Sequence, residues 1–249
     1  APGSIATNAA WDGQADAGIV AGEAIAAGEV HTYRVTVVAA APAGLDPAAA
    51  DCEPGAPGEG SGFLNSATLT SNGEELDAEA CAPVASVSID KGLAGAPVAN
   101  GDGTYTVSYD VTVSNTGGAD TTYDLTDELQ YGAGITVSSA SVTNTAPGSI
   151  ATNAAWDGQA DTSIVAGEAI AAGGSHVYRV TVVAAAPAGL DPAAAHCVPG
   201  APGEGSGFLN SAVLTSDGQD QTAEACAPVA SVTIDKALAG APVANGDGT

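Results

Sequence analysis

YTVSYDVTVSNTGG, residues 105–118, decides how this chain folds. Tyr105, Val107, Tyr109, Val111 and Val113 alternate with Thr106, Ser108, Asp110 and Thr112, and a turn-forming NTGG follows. Period-two alternation puts apolar side chains on one face of a strand and polar ones on the other. Its neighbours read the same way. Val87, Ile89, Lys91 and Leu93 form one inner row, and Tyr123, Leu125, Asp127, Leu129 and Tyr131 another. His176, Tyr178, Val180 and Val182 form a third, and Phe208, Asn210, Ala212 and Leu214 form the row of the last long strand. With NTGG, NGDG and SDG turns between them, about seven antiparallel strands per unit predict an all-β fold. The expected form is tandem Ig-like antiparallel β-sandwich repeats.

The unit repeats. APGSIATNAAWDGQAD starts at Ala1 and again at Ala146, and the offset holds without a gap to Thr104 and Thr249, with 15 differences in the 104 paired positions. A period of domain size indicates a tandem array. Counting from ASVSIDKGLAG, residues 84–229 form a complete Ig-like repeat. Residues 1–83 read as the C-terminal part of a preceding repeat, and residues 230–249 as the first strand of the following one. Comparing the copies supports the face assignment. Thr68 becomes Val213, Thr32 becomes Val177 and Ser88 becomes Thr233, all on outward rows.

Composition excludes several functions. Four Lys and Arg stand against 29 Asp and Glu in 249 residues, a net charge of −25. Only Arg34, Lys91, Arg179 and Lys236 could meet a phosphate, so nucleic acid and anionic membrane surfaces are not expected partners. No apolar run in this segment is long enough to span a bilayer. No Ser/His/Asp order, phosphate loop or paired catalytic carboxylates stand out, and no turnover enzyme is expected.

Three polar residues lie on apolar rows: Lys91, Asp127 and Asn210. Burying any of them alone costs several kcal/mol, roughly, so they are expected to meet. Lysine usage sharpens this, since the two lysines, Lys91 and Lys236, occupy the same position of consecutive repeats. Burial lowers a Lys pKa and raises an Asp pKa, which makes a neutral amine and a neutral acid accessible. The amine can then attack the Asn side-chain carbonyl while the acid polarises it, and ammonia leaves. The product is an intramolecular isopeptide bond between the first and last strands. Plainer readings are a buried Lys91–Asp127 ion pair with Asn210 as hydrogen-bond partner, or a bulge that puts one of the three outside. Asn115 is a second candidate for the inward Asn, although SNTGG reads better as a turn.

IDKGL (89–93), YTVSYDVTVSNTGG, YDLTDEL (123–129) and FLNSA (208–212) resemble a family of bacterial extracellular Ig-like surface repeats known as a domain of unknown function. The Lys, Asp and Asn also resemble the triad of isopeptide-bonded domains in Gram-positive pilins and adhesins. That resemblance implies Lys91 and Asn210 as the bonded pair and Asp127 as the catalytic acid, with the repeat equivalents Asn65 and Lys236 pairing outside this segment. The long Ala/Pro/Gly-rich stretch between Val183 and Phe208 departs from the family pattern.

Each copy carries one cysteine pair, Cys52 with Cys81 and Cys197 with Cys226, and none has zinc spacing. The even count in a lysine-poor, turn-rich chain fits disulfides in an oxidising, extracellular or cell-surface setting, and free buried cysteines are the alternative. Such bridges would hold the PGAPGEGSG loop beside the last strand. His31 and His176 read as edge-of-core residues, and Trp11 and Trp156 as plugs of the sandwich end. No cofactor is expected. Ca²⁺ is a weak candidate at the acidic turns holding Asp102, Asp157 and Asp161, none of which follows the EF-hand pattern. The expected function is a structural repeat of an extracellular bacterial stalk, fibre or filament, whose partners are neighbouring repeats. Alternatives are a ligand-binding adhesin module for sugar or protein, or a self-assembling subunit completed by a neighbour's strand.

Overall fold

A computed structural model describes residues 5–42, 45, 49, 52, 62–187, 189–190, 195–197, 207–230, 234–243 and 245–246. The chain divides into two compact units, Ala1–Ala40 and Ala41–Thr249. Among the described residues, the second unit carries eleven strands: β1 (Phe63–Ser71), β2 (Glu74–Ala82), β3 (Val87–Leu93), β4 (Val98–Ala99), β5 (Thr104–Asn115), β6 (Thr121–Leu129), β7 (Thr136–Ala146), β8 (Ser163–Ile170), β9 (Ser175–Ala185), β10 (Phe208–Ser216) and β11 (Gln219–Ala227).

Strands β3 to β11 build an all-β antiparallel sandwich. One sheet has the order β3-β5-β9-β7, with β4 paired to β5, and the other has the order β11-β10-β6-β8. Their inner faces close a core of Val107, Tyr109, Val111, Val113, Tyr178, Val180 and Val182 against Tyr123, Leu125, Ile164, Phe208 and Leu214. Hydroxyls tie the layers. Tyr109 Oη donates to the Phe208 carbonyl at 2.7 Å, and Tyr123 Oη lies 2.6 Å from Tyr178 Oη. On the outer face Arg179 grips Asp110 through two bonds of 2.8 and 2.7 Å, across the register pair Asp110↔Arg179.

The expected inner rows of β5, β6, β9 and β10 are inner rows here. Two expectations need correction. Leu93 is 39% exposed, because it ends β3 at the rim of the sheet. The strand bearing Asn210 is not the last long one either. β11 follows it after a two-residue turn and pairs with it in full. Asp217 (φ 52) and Gly218 (φ 74) supply the left-handed pair that a tight hairpin needs. The segment QDQTAEACA carries little strand signal, because Thr222 is its one β-branched residue and it has no aromatic.

Both expected disulfides are present, Cys52–Cys81 and Cys197–Cys226, each with Cα atoms 5.8 Å apart. Two such bonds point to an oxidising environment. The PGAPGEGSG expectation falls largely on residues outside those described. Each bridge spans a separation of 29 residues. On the chain-entropy model, closing a loop of that size contributes roughly 3 kcal/mol. Replacing Cys197 and Cys226 together by Ser is therefore expected to lower unfolding free energy by about 3 kcal/mol in urea titration, and an unchanged midpoint would refute this.

The first copy behaves differently. Residues 5–40 form no strand, although residues 33–40, YRVTVVAA, repeat as residues 178–185 inside β9. In the second unit, β1 and β2 form a two-stranded sheet of their own, with Asn72 (φ 53) and Gly73 (φ 84) at its turn. Residues 234–243, which repeat the start of the unit, also form no strand, and Ile234, Lys236 and Leu238 are exposed.

Candidate functional site

Three strands deliver the site. Lys91 sits on β3, opposite Val111 of β5, at one edge of the five-stranded sheet. Asp127 sits on β6 opposite Ala212, and Asn210 on the adjacent β10 opposite Leu129. A two-residue diagonal offset keeps Asp127 and Asn210 on the same face, within side-chain reach. β3 packs over β10 and β11, and the Gln221 side chain donates to the Val87 carbonyl at 2.6 Å. Lys91 therefore enters the site from the opposing layer.

The three side chains are buried: Asn210 is fully enclosed, Asp127 is 1% exposed and Lys91 7%. Lys91 Nζ is ion-paired and hydrogen-bonded to Asp127 Oδ2, with neither side chain touching solvent. The ammonium also lies 5.5 Å from the centroid of the Tyr109 ring. Trp156 closes the site from the β7–β8 connection, where its indole N–H donates to the Asp127 carbonyl at 3.1 Å. Gly158 lets the indole lie this close, since a Cβ there would meet Leu129 at 2.6 Å and Trp156 at 2.9 Å.

Electrostatics run in one direction. Loss of water lowers the Lys91 pKa, with Asp127 opposing. Loss of water raises the Asp127 pKa, with the Lys91 charge and hydrogen bond opposing. Desolvation leads in both, so the neutral amine and neutral acid become accessible as a pair. Neither atom of the Asn210 amide completes a hydrogen bond, and Asp127 Oδ1 is likewise unpartnered among the described residues. A buried amide left this way costs about 1–3 kcal/mol.

Asn115 is also inward and only 1% exposed. Its register partner is Val87, four residues along β5 from the Lys91 partner Val111. Its carbonyl oxygen accepts from the N–H groups of Ser86 and Gly117, and its amide donates to Ala119 and Ala171. Asn115 is thus a satisfied turn anchor, both inward and part of the turn. The copies of the site residues stand apart: Asn65 on β1 and Lys236 are exposed.

The acidic turns are occupied as turns. Asp157 Oδ1 accepts from the N–H groups of Gln159, Ala160 and Asp161, Asp161 Oδ2 accepts from the Asn153 amide, and Asp102 Oδ1 accepts from Thr104. These bonds hold the Asp157 and Asp102 carboxyls below their usual range. Among the described residues no three His, Cys, Asp or Glu side chains gather as a metal site. The calcium candidates Asp102, Asp157 and Asp161 thus sit in turns whose own donors engage their carboxyl oxygens.

At the other end of the core, His176 Nδ1 lies 2.7 Å from Tyr123 Oη. Burial lowers the His176 pKa from its ordinary 6.5, with Glu168 opposing. A depressed pKa means the unfolded chain binds the proton more readily, so stability falls as pH drops below about 6.5. The thermal midpoint is expected to fall more between pH 7 and 5 than that of His176→Gln, and parallel profiles would refute the assignment.

Compared with known proteins, the chain matches no family model and no curated protein.

Proposed function

We propose that the chain is a structural repeat of an extracellular bacterial stalk, fibre or filament whose sandwich closes itself with a Lys91–Asn210 isopeptide bond. The observation that carries this reading is the buried Lys91–Asp127 pair beside an Asn210 amide with no hydrogen-bond partner. In the proposed reaction Lys91 passes a proton to Asp127. The free amine attacks Asn210 Cγ, and the protonated Asp127 polarises the carbonyl. A C–N bond forms, the Cγ–Nδ2 bond breaks, ammonia leaves and Asp127 remains the neutral acid. The unit reacts once and is not a turnover enzyme. The reaction removes an ammonium and an unpaired amide from a dry site, and Asp127 then faces the new amide.

The bond would tie β3 to β10 and so join the two layers. Tension entering at β3 and leaving after β11 would bypass residues 91–210. The disulfide would close the last strand, and the negative surface would keep neighbouring shafts soluble and apart. Resemblance to bacterial surface repeats agrees with this role. A ligand-binding reading draws on the divergence of residues 72–77 from 217–222, which takes in the hairpin turns and the first four residues of β2 and β11.

Intact mass tests the bond. The chain is expected to weigh about 17 Da less than its sequence with both disulfides formed, a deficit that survives reduction. A full mass after reduction would remove the isopeptide bond, and the site would be a buried ion pair.

A further inference from the structure

The strand that carries Asp127 loses its neighbour just before it reaches the site. The β6–β8 ladder shifts register twice, between Tyr123 and Leu125 and again between Leu125 and Thr126, and its last pair is Thr126↔Ser163. Bulges of this kind bend a strand and re-aim its side chains. Beyond that pair, residues 156–162 take over from β8. The Asp127 N–H donates to the Thr162 carbonyl at 2.8 Å, and the Asp127 carbonyl accepts from the Trp156 indole at 3.1 Å. The Leu129 N–H donates to the Gly158 carbonyl at 2.8 Å. Trp156 is buried, so its bond is made inside the core. The loop also holds its own shape. The Asn153 amide donates to Asp161 Oδ2 and to the Ser163 carbonyl, and the N–H groups of Asp157 and Gly158 both reach the Asp161 carbonyl. Residues 8–16 repeat the sequence NAAWDGQAD and make matching bonds, from the Asn8 amide to Asp16 and to the Gly18 carbonyl, in a unit whose described residues form no strand. The motif therefore folds on local bonds and needs nothing from β6.

We propose that Trp156, presented by the loop of residues 153–164, is the positioning residue of the Lys91–Asp127–Asn210 site and holds Asp127 where it meets both partners. Its part in bond formation rests on the isopeptide reading. Asp127 has to reach Lys91, which comes from the opposing layer, and Asn210, which stands on the next strand. A shift of β6 along or across the sheet would lose one partner or the other. The two register shifts leave β8 unable to prevent that movement. The indole N–H and the Thr162 carbonyl prevent it instead, on the β8 side of β6, by holding both main-chain groups of Asp127. Trp156 acts through that main chain and takes no part in proton transfer. A displacement of about 1 Å between reacting groups can cost about a hundredfold in rate, so a loosened Asp127 slows the attack of Lys91 on Asn210 even in a folded sandwich.

The test follows bond formation in the full chain. Chains are made by cell-free synthesis, quenched in denaturant at intervals, reduced and weighed, with the bond mapped to Lys91 and Asn210. Trp156→Phe keeps a ring in the core and removes the N–H, and it is expected to form the bond at least about tenfold more slowly than the parent. Gly158→Ala, whose Cβ would meet Leu129 at 2.6 Å, is expected to do the same. Ile170→Ala opens the core at the other end of β8 and is expected to keep the parent rate. Equal rates for Trp156→Phe and the parent, or an Ile170→Ala rate as slow as that of Trp156→Phe, overturn the proposal. A second measurement needs no bond. In an Asn210→Ala background, carboxyl-carbon NMR follows the titration of Asp127. Trp156→Phe is expected to move its midpoint toward the ordinary carboxylate range, and Ile170→Ala to leave it in place. If the parent never loses about 17 Da, the isopeptide reading falls and the midpoint alone decides. A moved midpoint then keeps Trp156 as the residue that positions Asp127, and an unmoved one overturns it.

Discussion

Asp127→Ala is expected to restore the full mass and to lower unfolding free energy by roughly 3–5 kcal/mol, because it strands a buried Lys91 ammonium. For a domain of this size that corresponds to a drop of about 10 °C or more in thermal midpoint. The loss has two sources that a second variant separates. Lys91→Met with Asp127→Leu removes both charges and leaves an apolar site. If Lys91 and Asp127 are only an ion pair, that variant is near neutral or stabilising, since replacing a buried pair by apolar residues commonly is. If Lys91 is bonded to Asn210, the variant also loses a covalent closure across residues 91–210 and stays well below the parent. Urea midpoints of the two variants, read beside their masses, decide between these readings.

Phe208→Ala is expected to cost about 3–5 kcal/mol, and Phe63→Ala almost nothing, although both residues open the same FLNSA. Phe208 is fully enclosed, with the Tyr131 ring edge-on at 5.3 Å and the Tyr105 ring at 5.8 Å. Removing it leaves a cavity in a close-packed layer. Phe63 has no such surroundings, and a surface truncation lies within about 0.5 kcal/mol. Two-state urea unfolding of each variant measures the difference. Equal losses would mean that the first copy has a packed core of its own.

Much of the site is legible in the sequence. Alternation assigned Lys91, Asp127 and Asn210 to inner faces, and a lysine kept only at one repeat position singled out Lys91. Burial of the three together follows from those rows. Their mutual approach does not, because it depends on β6 pairing with β10 and on β3 crossing from the opposite sheet. Trp156 lies outside the alternating strands, and its reach to the Asp127 carbonyl depends on a glycine turn far along the chain. Asn115 is ambiguous in the sequence for a related reason: its row points inward, yet its side chain bonds the backbone of Ser86, Gly117, Ala119, Ile170 and Ala171.

Strand type, the inner rows of β5, β6, β9 and β10, the cysteine pairs and the repeat are all legible in the chain's local pattern. These depend on local alternation, on turn residues and on identity between copies. Whether a given copy of a segment becomes a strand depends instead on long-range pairing. YRVTVVAA is part of β9 at residues 178–185 and irregular at residues 33–40. FLNSA is buried core in β10 and exposed sheet in β1. The side chains are the same, so local propensity cannot separate them. A strand gains its stability from ladder bonds and apolar contacts supplied by its neighbours. The front strands Val87–Leu93, Thr104–Asn115 and Thr121–Leu129 supply these to the second copy alone.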